Sequence, residues 1–445
     1  MRSNFVAAVA LAQLASAAPG LLKRQNLDLG AILNAPPPSA TGPPITAVAN
    51  VSSTSVYSVN TASLAASISG DVTSQATASV TGAAASAGLT QNPSSSALDK
   101  RGHGWQKWSS TTSSAQSSSS STSSTPAIQP STGTTTTSSS TACPTTPEAG
   151  TYCGFINPED ACAPQPSGYG PQVQPDTPAA FEAYPAFSQD ALSAVTPQGY
   201  ANVFKNLNAS VSANSYLTYE TLTSYDVEGC AAFCDNTTLC TAFNIYIERD
   251  PSVNPTTNGT NVGWGSNCPN PSSITNYKCS LWGSSIDAAS ATNYGQMRDE
   301  FEVVIAGSNG YDKTNSTTPP SVPGWGSPGN CSGGAISSGG SYWMGSNFYP
   351  GPFNPSLCTL YGQAQTSTNK QIAQQQGANS YVPCNMINAY MVHMNGVAQG
   401  TYCQLFDTVL DSSWASFQGV WSGENYFSVQ SSWTYALSDL DDGKL

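Results

Sequence analysis

Apolar residues fall along this chain in blocks. Phe5–Leu14 is one nearly unbroken apolar stretch. Residues 25–142 then hold mainly Ala, Ser, Thr, Pro and Val, with hardly an aromatic among them. From Cys143 onward, apolar and aromatic side chains return in short runs that read as elements. Val227–Asp235 predicts a helix, with Asp226 placed to cap its first turn. Within it Cys230 and Cys234 are four apart and share a face. The run from Cys240 to Glu248 is aromatic and β-branched and predicts a strand, as do Tyr277–Gly283 and Phe301–Gly307. Leu357 opens a second helical stretch that stops near Gly377, a C-cap residue. Phe417–Trp421, Tyr426–Val429 and Trp433–Leu437 predict terminal strands.

Charge excludes several functions. Of 445 residues only 9% are charged, and the net charge is −13. Residues 143–445 carry seven basic against 23 acidic side chains, a net of −16. Such a surface repels phosphate backbones and acidic lipids, so neither nucleic acid nor membrane is an expected partner. With His103 and His393 as the only histidines, a His-rich metal site or His-relay hydrolase is disfavoured.

The amino-terminal pattern predicts secretion. Met1–Ala18 has a basic start, an apolar middle and the small-residue site Ala15-Ser16-Ala17, which together read as a signal peptide. The apolar stretch is too short to span a bilayer. Lys23-Arg24 and Lys100-Arg101 resemble the dibasic sites cut by kexin-type proteases of fungal secretory pathways. Residues 19–142 are expected to be a disordered propeptide and stalk. Their uncharged Ser/Thr runs suit O-glycosylation. Sequons stand at Asn50, Asn208, Asn236, Asn258, Asn315 and Asn330.

All 12 cysteines lie between Cys143 and Cys403, and an even number in a secreted chain predicts disulfides. The Cys230-x3-Cys234 helix, the strand opened by Cys240 and the strand carrying Cys279 resemble the PAN/apple module. Glu159–Pro166, Phe243–Pro251 and Ile305–Tyr311 extend the likeness to a group of secreted, mostly uncharacterised fungal apple-like proteins. The resemblance implies the pairs Cys234–Cys240 and Cys230–Cys279. A second copy is expected downstream, since Cys384-x2-Ile387-Asn388-x-Tyr390 repeats Cys240-x2-Phe243-Asn244-x-Tyr246. In that copy Cys358 matches Cys230 and Gly362 takes the place of Cys234. The expected pairs are then Cys358–Cys403 and Cys331–Cys384. The connectivity of Cys143, Cys153, Cys162 and Cys268 stays open. The expected architecture is α+β: tandem disulfide-stabilised apple-like modules, 143–318 with an N-terminal Cys-rich extension and 319–445, each a helix on a small antiparallel sheet.

Chemistry is sparse. Glu248 and Asp250 flank Arg249, and Asp299, Glu300 and Glu302 follow Arg298. Paired carboxyls suit glycoside hydrolysis, but local pairing of each Arg with its acids is the simpler expectation. No nucleophile elbow, phosphate loop or zinc helix is present, and no cofactor is expected. The aromatic surface remains. Sugar rings stack on Trp and Tyr, and Trp343, Tyr349 and Trp325 in Gly/Pro/Asn-rich loops are the ligand candidates. The expected function is extracellular or cell-wall binding, of polysaccharide or a protein partner, without catalysis. The rivals are a wall-acting glycoside hydrolase and a structural wall mannoprotein.

Overall fold

The computed structural model describes residues 27–35, 151–152, 155–156, 160–166, 168–259, 264–314, 318–338, 340 and 342–445. The expected signal peptide, both dibasic pairs, Asn50, Asn315, Cys143 and Cys153 lie outside the described residues.

A short helix, α1 (Leu29–Leu33), is followed by a hairpin of β1 (Thr151–Tyr152) and β2 (Phe155–Ile156) and by helices α2 (Pro178–Glu182) and α3 (Pro185–Ser193). Next come β3 (Tyr200–Leu207), β4 (Tyr216–Leu222), α4 (Val227–Asp235), β5 (Ala242–Pro251), β6 (Ser273–Trp282), β7 (Gly295–Arg298) and β8 (Phe301–Lys313). The last third holds β9 (Gly329–Asn330), β10 (Trp343–Pro350), α5 (Pro355–Gln375), β11 (Met386–Met394), β12 (Val397–Phe406), β13 (Gly419–Ser422) and β14 (Asn425–Ala436). The Asp226 carboxylate caps α4 by accepting from Gly229 N at 2.9 Å. Asn354 caps α5, Pro355 opens it, and Gly377 follows it at φ 66°.

The strands form two antiparallel sheets of six. The first has the order β3-β8-β5-β6-β4 with β7 also on β8; the second has β10-β12-β11-β14-β13 with β9 also on β14. The two repeat each other element for element, β3–β8 corresponding to β9–β14 and α4 to α5. The correspondence reaches single residues. Ile245 faces Cys279 across β5 and β6, and Ala389 faces Cys403 across β11 and β12. A bulge interrupts β5/β8 after Ile245 and β11/β14 after Ala389. At the bulges Gly307 and Ser431 take the left-handed conformation, with φ of 58° and 48°.

A buried asparagine holds each bulge. Asn244 Oδ1 accepts from Val211 N at 2.9 Å, and its Nδ2 donates to Ser308 Oγ and Asn309 O at 2.9 Å each. Asn388 Oδ1 accepts from Ile336 N at 2.8 Å, and its Nδ2 donates to Ser432 Oγ and Trp433 O at 3.0 Å each. Both side chains are fully buried.

Disulfides clamp helix to sheet. Cys230–Cys279, Cys234–Cys240 and Cys358–Cys403 form, with Cα separations of 5.7, 5.4 and 5.0 Å. These are the pairs that the resemblance and the repeat imply. Loops of 49 and 45 residues make Cys230–Cys279 and Cys358–Cys403 worth about 4 kcal/mol each by chain entropy. Cys162 pairs with Cys268. The expected Cys331–Cys384 bond is absent, and both are buried thiols. Cys384 packs beside Ile387 and Ala389 on the helix side of the second sheet. Cys331 lies with Met386 and Phe406 on the opposite face, so the sheet separates them. Cys384 instead occupies the site of Cys240. Its sulfur is 3.4 Å from Met386 O, as that of Cys240 is 3.3 Å from Ala242 O. A Cβ added at Gly362 would come within 2.9 Å of that sulfur.

On the first sheet, α4 covers Phe243, Ile245, Cys279, Leu281 and Tyr311, while Phe181 of α2 and Phe187 of α3 cover Ile247, Tyr277 and Val304. On the second, Cys358 and Tyr361 of α5 cover Ile387, Ala389 and Leu405. Phe204, Val211 and Trp282 of the first half belong to this same core, and Phe353 N donates to Gly283 O at 2.9 Å. Residues 147–445 are accordingly one compact unit, with no break at the expected 318/319 boundary. Inside the stretch read as disordered, Leu27–Ala35 folds: Ile32 is buried on the outer face of the second sheet. The low-complexity composition around it masks this short apolar cluster.

Two substitutions test the repeat. Asn388→Ala removes the side-chain bonds to Ile336 N, Ser432 Oγ and Trp433 O from a dry core and should lower stability by about 2–4 kcal/mol in chemical denaturation. Gly362→Cys should bond to Cys384, lowering the thiol count of the unfolded protein by one and raising stability by about 3 kcal/mol.

Candidate functional site

Edge strand β10 begins at Trp343, where a bulge separates it from Gly345 against β12. Tyr342 and Trp343 are 37% and 43% exposed, unusual for side chains of this size. Beside them stands Trp414, 38% exposed, whose ring meets that of Tyr342 edge-on with centroids 6.2 Å apart. Trp414 closes a 3-10 turn, Ser412–Trp414, that Asp411 caps by accepting from Ser413 N at 2.8 Å. The hydroxyl and amide of Ser413 hold the Asp411 carboxyl below the usual carboxylate range. Tyr342 O accepts from Asp407 N at 3.1 Å, tying the strand end to the loop leading to this turn. The result is an exposed aromatic pair, Tyr342 and Trp414, with the exposed Trp343 next to it in sequence and the Asp411 carboxylate beside it. Aromatic faces of this kind take the C–H faces of sugar rings, while carboxylates and amides accept from hydroxyls.

The other two ligand candidates sit elsewhere. Tyr349 is half-buried against the core of the second sheet, and its hydroxyl accepts from Asn347 Nδ2 at 3.0 Å. Trp325 is a core residue, 5% exposed. It bridges Leu437 as Tyr200 pairs with Lys313, so the repeat makes it the counterpart of a core tyrosine. Its Gly/Pro-rich surroundings concealed this. Trp414 was missed, and the repeat was the signal for it: Asp411–Trp414 matches the capped turn Asp287–Ser290. A second aromatic pair, the exposed Trp421 and the half-buried Tyr426, lies on the β13–β14 hairpin with centroids 5.0 Å apart.

A cleft of about 350 Å³ runs between the two sheets. Thr241, Ser285 and Lys313 line it from the first half and Asn330, Ser432 and Trp433 from the second. Lys313 is already engaged, donating to Cys240 O at 3.0 Å and paired with Asp235 at 3.1 Å. Asn208, Asn236, Asn258 and Asn330 are all exposed, as glycan acceptors must be.

The acids do not pair with their neighbouring arginines. Glu248 and Asp250 point to one face of β5 and Arg249 to the other, because side chains alternate along a strand. Arg249 reaches Asp176 at 2.7 Å and lies over the Phe301 ring. Glu248 and Asp250 instead share Lys278 from β6, Asp250 at 2.8 Å. Asn276 Nδ2 donates to Asp250 Oδ2 at 2.7 Å. Burial first, then the Asp250 charge, pushes the Glu248 carboxyl up to about 8. Lys278 holds Asp250 below its usual value against the desolvation that opposes it. Arg298 donates to Asn254 Oδ1 at 2.8 Å, and Asp299, Glu300 and Glu302 are exposed. His393 is a buried strand residue whose Nδ1 lies 3.0 Å from Gly396 O. Burial raises both free thiols, Cys384 to about 12, which keeps them protonated. Among the described residues no three His, Cys, Asp or Glu side chains converge as a metal site.

Comparison of the chain with protein-family models, with curated proteins and with solved structures finds no match.

Lys278→Met leaves two buried carboxyls without their cation and should cost about 3–5 kcal/mol in denaturant unfolding. Glu248 binds its proton more tightly when folded. Its contribution is therefore complete below about pH 4.5 and is lost as pH rises toward about 8. Unfolding midpoints across this window should fall in the parent protein and flatten in Glu248→Gln.

Proposed function

We propose that this is a secreted, glycosylated binding protein of the cell wall or extracellular space, built from two fused apple-like halves, that recognises carbohydrate. The observation carrying this reading is the exposed Tyr342–Trp414 pair with the exposed Trp343 next to it in sequence, because three such rings left in water serve no core. Four disulfides among the described residues suit an oxidising compartment, and none of the described helices is long and apolar enough to cross a membrane. The acid cluster supports the binding reading over a glycoside hydrolase. Glu248 and Asp250 sit on one strand and are consumed by the same lysine, whereas hydrolysis needs two carboxyls either side of a sugar.

The test is retention of the full secreted chain on insoluble chitin, β-glucan and cellulose. Binding to at least one should weaken about tenfold in Trp343→Ala and in Trp414→Ala, a loss of about 1.4 kcal/mol. Trp421→Ala, on the separate hairpin, should bind as the parent does. Retention indifferent to residues 343 and 414, or no retention at all, defeats the reading.

A further inference from the structure

The two sheets differ most on the face turned away from their helices. On the first sheet that face carries Glu248 and Lys278, side by side on β5 and β6 with Asp250. The repeat places Val392 and Tyr402 at the positions of Glu248 and Lys278. Around them stand Phe348, Tyr390, Phe427 and Val429, an apolar surface. Leu27–Ala35 lies on it. Ile32 is 2% exposed and inserted among these side chains, with Leu27, Leu29, Ala31 and Ala35 packed beside it, while Leu33 is 54% exposed on the outer side. One polar contact ties the segment to the groove, Asp28 N donating to the Tyr402 hydroxyl at 2.9 Å, and one caps its helix, Asp28 Oδ1 accepting from Ala31 N at 2.9 Å. Ser346 Oγ, 3.0 Å from the Tyr402 oxygen, holds that hydroxyl in place.

A five-residue helix is not stable alone in water. Its order is therefore supplied by the groove, and the contact is a recognition event between distant parts of the chain. Yet the segment starts just after Lys23-Arg24, and Lys100-Arg101 lies between it and the folded body. A cut at each pair would sever it covalently. We propose that this face of the second sheet is a docking groove whose occupant is the chain's own residues 27–35. After dibasic processing the fragment 25–101 stays bound there as a noncovalent second chain. The equivalent face of the first sheet offers no such apolar groove, because Glu248, Asp250 and Lys278 occupy it as a buried ion cluster.

The test uses the full secreted chain carrying a recognition site for a sequence-specific protease directly after Arg101, so that cleavage does not depend on the native pair. After cutting, size exclusion under native conditions is followed by mass analysis of each fraction. The fragment should co-elute with the body and separate from it in denaturant. Ile32→Asp should release it into the low-mass fractions. In the uncut parent, hydrogen exchange should show the amides of Asp28 and Ala31 protected, a readout independent of any variant. Release of the parent fragment under native conditions overturns the proposal. So does co-elution that persists in Ile32→Asp, or exchange at residues 28 and 31 as fast as in a free peptide.

Discussion

Each half of this protein is organised around one buried asparagine. Asn244 and Asn388 sit at the centre of their sheets, where a polar side chain without partners would cost several kcal/mol. Both share the same three hydrogen bonds instead, and each bond settles something different. The acceptor oxygen captures the amide of an incoming loop, at Val211 or Ile336. The amide group reaches two successive residues of the long last strand at the point where its ladder breaks. The bulge lets that strand serve two partners along its far edge, β3 and β7 in one half, β9 and β13 in the other. An apolar residue at the same place would remove these bonds to the loop amide and the bulge carbonyl from a dry core. The constraint is so tight that both copies keep the same geometry while most residues around them differ.

The clamps vary more freely than the asparagine does. The outer bridge, helix to third strand, is present in both halves, and the inner one only in the first. Where Cys234 bonds Cys240, the second half leaves Cys384 against Gly362 with no sulfur to reach. Its helix is longer, 21 residues against nine, so more of its surface is buried per element and a second covalent tie matters less. A loop as short as that between Cys234 and Cys240 restrains the unfolded chain by only about 2 kcal/mol. Losing it is tolerable for a helix anchored along five turns.

Local patterning made much of this legible. Cysteine spacing placed the helix–strand clamps, and the runs at Phe243, Tyr277 and Phe301 placed the central strands. What stayed hidden depended on which face a residue takes. Sequence neighbours Glu248, Arg249 and Asp250 suggested local ion pairs. Alternation along β5 sends them apart, and their real partners, Lys278 and Asp176, are separated from them by long stretches of chain. The Cys331–Cys384 expectation failed in the same way, since counting cysteines does not say which side of a sheet each occupies. Trp325 looked like a loop aromatic by its neighbours' composition, whereas its burial follows from pairing with Leu437. Trp414 carries no local signal of exposure and is recognisable only through its counterpart turn. Composition also hid the docked Leu27–Ala35 segment, whose order comes from a surface formed some 300 residues later.

The distribution of cations narrows what the exposed aromatics can bind. All seven basic side chains after residue 143 are engaged within the protein. Arg249 holds Asp176, Lys278 the pair Glu248 and Asp250, Lys313 Asp235, and Lys444 Asp442. Arg298 donates to Asn254, Lys205 to the carbonyls of Leu192 and Ala194, and Lys370 lies over the Tyr381 ring. An anionic ligand would therefore approach a field of carboxylates with no uncommitted cation among the described residues to receive it. A neutral polyol loses nothing to that field, and its hydroxyls can donate to the acceptors that dominate the surface. Low charge density and surplus acceptors, a poor basis for recognising phosphate or acidic peptides, thus favour the proposed carbohydrate ligand, for which grip would come from aromatic rings and selectivity from hydroxyl donors on the ligand.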